Sequence, residues 1–329
     1  MIDRRSVLIA LGVGAIGLPG RSFAQQPAKV WRVGILSARA QPTAPEFGVF
    51  GAFLKAMREL GYVEGRRVQY EWRFSDGKYE ALAEMAAELV RLKVDAIVAG
   101  GTPAVRAAQK ATKTVPIVMV GVGDPVGSGF IASLARPGGN ITGITNINVD
   151  MNAKRMDLLV TAFPKLSRVA ALLNPANPTY AANLAGLQAA ARQAKVTLLP
   201  LEARTRDEIE RAFSEMKRQN AEALIVHTDL FFIVQQRQFA DLVLKYRLPA
   251  IGPREHVGIG GLMSYQANTS GVYSRAASYI DRILKGAKPA DLAVEQPTNF
   301  NLVVNLKTAK TLGISIPREV MLRADEVIQ

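Results

Sequence analysis

Apolar segments rich in Val and Ile alternate with segments of helical periodicity along this chain, and this alternation restricts the fold more than any other feature of the sequence. Short apolar runs bounded by turn residues are typical of strands buried on both faces, as in parallel sheets covered by helices. In the first half we predict strands at 31–36, 68–72, 94–100 and 115–121, with helices at 46–60, 79–92 and 103–111.

The same order of elements recurs in the second half. There we predict strands at 168–174, 196–201, 221–227 and 248–252, with helices at about 177–194, 205–219 and 230–246. The segment "DGKYEALAEMAAELVRLKVDAIVAGGT" aligns with "RTRDEIERAFSEMKRQNAEALIVHTD", which indicates a structural repeat. The sequence therefore predicts an α/β protein with two doubly wound parallel-sheet lobes.

The connections between the halves are short and predict a hinge of three segments. A strand followed directly by a helix spans 141–159, and a late strand at 261–267, a helix at about 270–285 and a strand at 299–306 supply two more crossings. The predicted lobes are 28–146 plus 266–297, and 147–265 plus 298–329. Such a hinge permits closure and limits twist.

The N-terminus has the pattern of an export signal. Arg4 and Arg5 precede the uncharged stretch "SVLIALGVGAIGLPG", and "SFA" at 22–24 has small residues where a signal peptidase cleaves. We predict a signal peptide at 1–24 and a periplasmic protein. The paired arginines also suggest the twin-arginine route, but Asp3 and Val7 depart from that pattern, so the general secretory route stays equally open.

Composition excludes several classes of site. The chain has no cysteine, which excludes disulfides, thiolate metal sites and a cysteine nucleophile. Its net charge of +13 could attract nucleic acid, but the basic residues are interspersed with acidic ones and form no basic block. We therefore predict a solvated basic surface, no nucleic-acid partner, no cofactor and a monomer.

In open parallel sheets, ligands bind beyond the carboxyl ends of the strands, so the residues that follow each predicted strand are the candidates for a site. Facing lobes would place these residues across one cleft. The candidates with side chains or backbone suited to a ligand are Ser37, Gly101, Thr102, Gly123, Asp124, Asn174, Asn177, Thr228 and Asp229.

Two of these candidates have alternative interpretations that the sequence leaves open. Thr102 and Pro103 begin a helix, whose free N–H groups suit a carboxylate, or Thr102 only caps that helix. The glycine-rich "GVGDPVGSGF" lacks the Lys and Ser or Thr of a phosphate-binding loop. Asp124 in that loop either accepts from a cationic or donor group of a ligand, or belongs to an Asp-Pro turn.

Catalytic patterns are sparse. The two histidines, His227 and His256, lack the spacing of a metal-binding helix, and no G-x-S-x-G elbow occurs. His227 at a strand end could act as an acid or base, although a lone histidine there is more often structural. These residue types favour recognition of a small molecule over bond making.

Three stretches resemble a known family: "GGTPAVRAAQKATKTVPIVMVGVGDPVGSGFIASLARPGGNITGIT", "SYQANTSGVYSRAASYIDRILKGAKPADLAVEQPTNFNLVVNLKTAKTLGI" and the terminal "IP…ADEVI". The chain resembles the ABC transporter substrate-binding proteins that include the tryptophan-binding TrpX-like proteins. The likeness implies a type I periplasmic binding protein fold, with Ser37, Thr102, Asp124, Asn174, Asp229 and Tyr265 facing the cleft. The usual "SYG" is "SYQ" here, with Gln266 in place of glycine.

This resemblance implies capture of a small molecule, such as an amino acid or an aromatic or branched carboxylate, for delivery to an ABC permease in the inner membrane. No covalent step is expected, so we predict a binding protein and not an enzyme. Two alternatives stay open: an exported doubly wound enzyme, such as a sugar-transforming hydrolase or transferase, and a ligand-sensing partner of a membrane kinase.

Overall fold

The chain forms two α/β lobes, as the alternation of strands and helices predicts. The computed structural model describes residues 29–42, 48–147 and 151–329. The predicted signal peptide at 1–24 lies outside the described residues. Within them, the strands form a five-stranded and a seven-stranded sheet.

The first sheet is entirely parallel, with the strand order β2-β1-β3-β4-β5. Its strands are β1 (Trp31–Ser37), β2 (Val68–Phe74), β3 (Ala96–Gly100), β4 (Ile117–Val122) and β5 (Ile141–Thr145). The helices between them are α1 (Gly48–Glu59), α2 (Leu82–Arg91) and α3 (Thr102–Ala111), and a 3-10 turn at Tyr79–Ala81 precedes α2.

The second sheet has the order β12-β11-β10-β9-β8-β6-β7. Its strands are β6 (Arg168–Leu173), β7 (Thr197–Glu202), β8 (Ala223–Val226), β9 (Ala250–Ile251), β10 (Met263–Ala267), β11 (Phe300–Asn305) and β12 (Glu326–Ile328). The remaining helices are α4 (Met151–Ala162), α5 (Tyr180–Ala194), α6 (Arg206–Arg218), α7 (Leu230–Val234), α8 (Gln236–Tyr246), α9 (Arg254–Val257), α10 (Thr269–Leu284), α11 (Leu306–Leu312) and α12 (Arg318–Leu322).

Both sheets are covered on two faces, so the predicted doubly wound architecture is confirmed. In the first sheet, one apolar cluster includes Phe53 of α1 and Tyr279 of α10, and the other includes Leu89 of α2. In the second, separate clusters include Leu187 of α5 and Phe213 of α6. We call the first sheet with α1, α2, α3 and α10 the first lobe, and the second sheet with the other helices the second lobe.

Three segments of chain pass between the lobes: β5 to α4, β10 to α10, and the residues that precede β11. Hydrogen bonds join these segments to one another, since Thr145 N–H donates to the Glu295 carbonyl and Asn268 N–H to the Asn299 carbonyl. Strand β10 continues to Ala267, two residues beyond the predicted lobe boundary, and pairs antiparallel with β11. The sheets are therefore parallel with one antiparallel pair.

The prediction of one continuous helix at 230–246 is wrong, because this segment forms two helices, α7 and α8. The backbone at Gln235 (φ −85°, ψ 18°) ends α7 and starts α8. Asp229 caps α7, accepting from the Phe231 N–H at 2.9 Å. The break lets α7 lie at the end of β8 as a separate short element facing the first lobe.

Candidate functional site

The ends of two repeat-related strands, β3 and β8, meet across the lobes. The aligned segments that end in "GGT" and "HTD" place Gly101 opposite Thr228 in the alignment and Thr102 opposite Asp229. All four residues line one cavity of about 80 Å³. The internal repeat thus supplies both walls of the site, because equivalent strand ends face each other.

We call this space the inner cavity. Both lobes contribute apolar and polar side chains to it. Its lining includes Arg39, Tyr79, Gly101, Thr102, Gly123, Asn177, His227, Thr228, Asp229, Leu230, Ile233, Glu255, Gln266, Thr269, Val272 and Tyr273.

Asp229 is the centre of a buried hydrogen-bond network. Its Oδ1 accepts from the Tyr79 hydroxyl at 2.6 Å, from the Phe231 N–H at 2.9 Å and from Asn174 Nδ2 at 3.3 Å. Its Oδ2 accepts from Asn177 Nδ2 at 2.6 Å. The side chain is 1% exposed, so this set of donors compensates for the loss of water around the carboxylate.

Tyr79 belongs to the first lobe and Asp229 to the second, so their hydrogen bond crosses the cleft. The pKa of the Tyr79 phenol is raised well above its usual value, mainly by burial and in second place by the neighbouring Asp229 carboxylate. The phenol therefore stays protonated and donates at any physiological pH. Tyr79 also packs against apolar clusters of both lobes.

Further contacts hold the lobes together. Arg39 Nη1 of the first lobe lies 3.0 Å from Glu255 Oε1 of the second. Burial alone would raise the pKa of Glu255, but Arg39 beside it holds that pKa below its usual value. Leu230 of α7 packs against the first lobe's core and lies next to Gly101.

The start of α3 gives the first lobe's side of the cavity a partial positive charge. Gly101 precedes the helix with φ 82° and ψ 159°, a conformation that is essentially restricted to glycine, and Thr102 is buried at its first position. Free N–H groups at a helix start favour an anion such as a carboxylate. The inner cavity therefore presents a carboxylate on one wall and an anion-binding helix start on the other.

The close approach of Tyr273 to β3 explains the glycine at position 100. A Cβ on Gly100 would lie 2.6 Å from the Tyr273 hydroxyl and 3.2 Å from Ser37 Oγ. Ser37 Oγ in turn accepts from the Arg39 N–H at 3.2 Å. Ser37 thus lies behind the wall of the inner cavity, where it contacts residues that line it.

His227 is 3% exposed, and its Nδ1 has no hydrogen-bond partner in the described part of the chain. Burial lowers the pKa of its imidazole to about 4, with nearby Asp229 opposing this shift and Arg155 adding to it. His227 is therefore neutral at physiological pH. It lines the inner cavity as an uncharged polar group.

The buried neutral His227 should make stability fall in mild acid. Its usual pKa is 6.5 and its folded pKa about 4, so the unfolded chain binds more protons between these values. Stability from this group is complete above pH 6.5 and is lost as the pH falls towards 4. His227→Gln should therefore flatten the dependence of melting temperature on pH between 6.5 and 4. Burial also lowers the pKa of His256, so the matched variant His256→Gln should flatten the same dependence for the same reason. Equal slopes of melting temperature against pH for wild type and His227→Gln would contradict the role assigned to His227.

The structure brings six of the ten predicted site residues to the inner cavity: Gly101, Thr102, Gly123, Asn177, Thr228 and Asp229. Ser37 and Asn174 lie one contact away, through Arg39 and Asp229. Tyr265 stacks on Phe300 with ring centroids 6.0 Å apart, and its neighbour Gln266 lines the cavity instead.

The side chain of Asp124 forms a hydrogen bond within its own turn. Its Oδ1 accepts from the Gly127 N–H at 2.8 Å, and the side chain is not among those lining the inner cavity. The glycine-rich loop reaches the cavity through Gly121 and Gly123. In this conformation the loop thus contributes backbone to the wall of the inner cavity, while the Asp124 carboxylate is bound within the Asp-Pro turn.

Several lining residues were not among the sequence candidates: Arg39, Tyr79, Leu230, Ile233, Glu255, Val272 and Tyr273. Leu230 could have been found, since it directly follows the "HTD" strand end. Tyr273 lies inside α10 and Tyr79 in the turn before α2, where no strand-end rule points.

No group of three or more His, Asp or Glu side chains that could hold a metal ion occurs in residues 29–42, 48–147 and 151–329. Over the same ranges no helix has the length and apolar character needed to span a membrane.

Comparisons with known proteins give one matching family and several similar proteins. The family described as "ABC transporter substrate binding protein" matches residues 47–328. A tyrosine-binding protein of Clostridioides difficile (strain R20291) is 25% identical over 264 residues, which cover 80% of this chain and 75% of that protein.

Solved structures are also similar to this chain. A Streptococcus pneumoniae ABC domain in complex with L-Trp is 25% identical, with a TM-score of 0.84 over 91% of this chain and 100% of that one. A substrate-binding protein of Clostridium difficile, solved in a ligand-free, open form, is 22% identical, with a TM-score of 0.65 over the same shares.

Proposed function

Because this chain belongs to the ABC transporter substrate-binding protein family, as its motifs predict, we propose that it captures a free aromatic amino acid between its lobes and delivers it to a membrane permease. The type I periplasmic binding protein fold predicted for it is confirmed by the similar structures. Proteins of this family bind a small molecule and work with an ABC transporter.

The observation that carries the amino-acid proposal is the pairing of opposite charges across the inner cavity. Asp229 offers an acceptor to an ammonium group, and the start of α3 with Thr102 offers donors to a carboxylate. A zwitterion complements both walls at once. The relatives named for tyrosine and L-Trp support the same class of ligand.

The remaining lining residues support an apolar or aromatic side chain on the ligand. Tyr79, Leu230, Ile233, Val272 and Tyr273 present apolar surface to the inner cavity. Aromatic rings gain stabilisation from such edge and face contacts beyond simple burial. We propose that these residues receive the ligand's side chain.

We propose further that the described conformation is the closed one. The interlobe contacts of Tyr79 with Asp229 and of Arg39 with Glu255 support this, as does the higher TM-score to the L-Trp complex than to the ligand-free, open structure. Ligand would act by binding the closed state more tightly than the open one. The three segments that pass between the lobes would serve as the hinge.

We propose three roles for the ten predicted site residues. Those that line the inner cavity would contact the ligand directly. Ser37 and Asn174 would orient Arg39 and Asp229, and Asp124 and Tyr265 would shape the loop and the strand beside the cavity. We also propose that residues 1–24 direct export to the periplasm, that the protein acts as a monomer, and that it carries out no covalent step.

The test is thermal unfolding of the protein, purified after expression of the full chain, against the twenty amino acids, sugars and nucleotides. A ligand at about 100 times its Kd adds roughly 2.7 kcal/mol, which is a shift of a few degrees at this size. We expect the largest shifts with L-tryptophan or L-tyrosine. A shift only with sugars or nucleotides would contradict the proposal.

A further inference from the structure

A second space, which we call the outer chamber, adjoins the inner cavity. It measures about 730 Å³ and is more open. The two spaces share part of their lining, so a few side chains form the wall between them. These shared residues are Arg39, Ile233, Glu255, Gln266, Ala267 and Thr269.

Gln266 is fixed within this wall by hydrogen bonds at both ends of its amide. Its Oε1 accepts from the Arg254 N–H at 3.1 Å, and its Nε2 lies 3.4 Å from Thr269 Oγ1. One contact comes from the start of α9 and the other from the start of α10. The side chain is therefore held across the boundary between the two spaces.

The backbone that carries Gln266 is held independently of its side chain. Gln266 pairs with Asn301 in the β10–β11 ladder, and the carbonyl of the preceding Tyr265 accepts from Arg155 Nε at 3.2 Å. Arg155 itself is fully buried. Shortening the Gln266 side chain should therefore open the wall and leave the strand in place.

The outer chamber is lined by groups that could hydrogen-bond a polar extension of a ligand. Asn268, Ser270 and Asn301 supply amides and a hydroxyl, and Phe50 and Val49 supply apolar surface. The charged side chains in it are paired, Arg39 with Glu255 and Arg254 with Glu326. This lining suits a neutral polar group such as a peptide bond.

We propose that Gln266 determines specificity by closing the inner cavity towards the outer chamber, so that free amino acids bind and amino acids extended by a further residue do not. This inference rests on the proposed function, because it assumes that the inner cavity holds an amino acid.

The test compares wild type with Gln266→Ala, which removes the side chain beyond Cβ, and with Gln266→Met, which keeps a similar length without the amide. Gln188→Ala is the matched control, since it removes the same side chain at an exposed position on α5 that lines neither space. Titration calorimetry measures Kd for L-tryptophan and L-tyrosine and for their dipeptides with glycine at either end. Circular dichroism checks that each variant is folded.

We expect the ratio of dipeptide to amino-acid Kd to fall at least about tenfold in Gln266→Ala for one end of the ligand, and to stay as in wild type in Gln266→Met and Gln188→Ala. Equal binding of dipeptides and amino acids by wild type would overturn the proposal. So would an unchanged ratio in Gln266→Ala, or loss of every ligand by that variant while folded. Failure of wild type to bind either amino acid would overturn the proposed function itself, and this inference with it.

Discussion

Asp229→Asn should weaken ligand binding by at least about 100-fold, which corresponds to about 2.7 kcal/mol. The substitution keeps the size of the side chain but removes the charge proposed to receive the ligand's ammonium group. It also places an amide N–H₂ among donors, because Tyr79, Asn174, Asn177 and the Phe231 N–H all donate to Asp229. Removing one partner from a buried charged hydrogen-bond pair costs about 2–5 kcal/mol.

The fold should survive this substitution, since Asn caps helices about as well as Asp and α7 keeps its cap. Titration calorimetry with L-tryptophan and L-tyrosine measures the loss. Asp241→Asn is the matched control, because Asp241 lies exposed on α8 of the same lobe. A folded Asp229→Asn protein with wild-type affinity would show that the charge of Asp229 does not hold the ligand.

The order of strands and helices could be predicted because burial on both faces of a parallel sheet leaves a strong mark in sequence. Runs such as "AIVAG" and "ALIV" have no polar residue, and both are fully buried as β3 and β8. The division of 230–246 into α7 and α8 could not be predicted, since it depends on the backbone conformation of Gln235. The short β12 and α12 likewise carry no periodicity long enough to detect.

The part of the site that follows strand ends could also be predicted, because parallel strands bring their carboxyl ends to one edge. Thr102 and Asp229 are found in this way. Tyr79 and Tyr273 could not be found, since they reach the cavity from a 3-10 turn and from the buried face of α10. Their roles depend on how the lobes meet, which no local pattern records.

The direction of a side chain within a turn also escapes sequence reasoning. Asp124 and Asp229 both follow buried strands, yet one accepts from its own loop at Gly127 and the other from the opposite lobe at Tyr79. Both carboxylates also accept from backbone two or three residues further along, Asp124 from the Gly127 N–H and Asp229 from the Phe231 N–H. Only the position of the facing lobe distinguishes them.

Gly101→Ala should impair closure and lower ligand affinity on the order of 10- to 100-fold. The conformation of Gly101, φ 82° and ψ 159°, costs other residues about 1–3 kcal/mol, and this strain acts whether the lobes are open or closed. A second cost arises only when the lobes meet, because the new methyl would lie 3.0 Å from Leu230 Cδ1. Overpacking of this kind costs roughly 1–3 kcal/mol.

A glycine that also has a positive φ but lies outside the cleft separates these two costs. Gly65 has φ 75°, and a Cβ there would meet nothing within 4 Å, so Gly65→Ala should lower thermal stability without changing affinity. Thermal unfolding measures the cost of backbone strain, and calorimetry measures the cost of the contact with Leu230 in the closed state. Gly101→Ala should lower affinity less in a Leu230→Ala background than in wild type, because the truncated side chain leaves room for the methyl. Wild-type affinity in Gly101→Ala would show that Leu230 does not need this glycine to reach the first lobe, and the proposed closed state would lose that contact as its support.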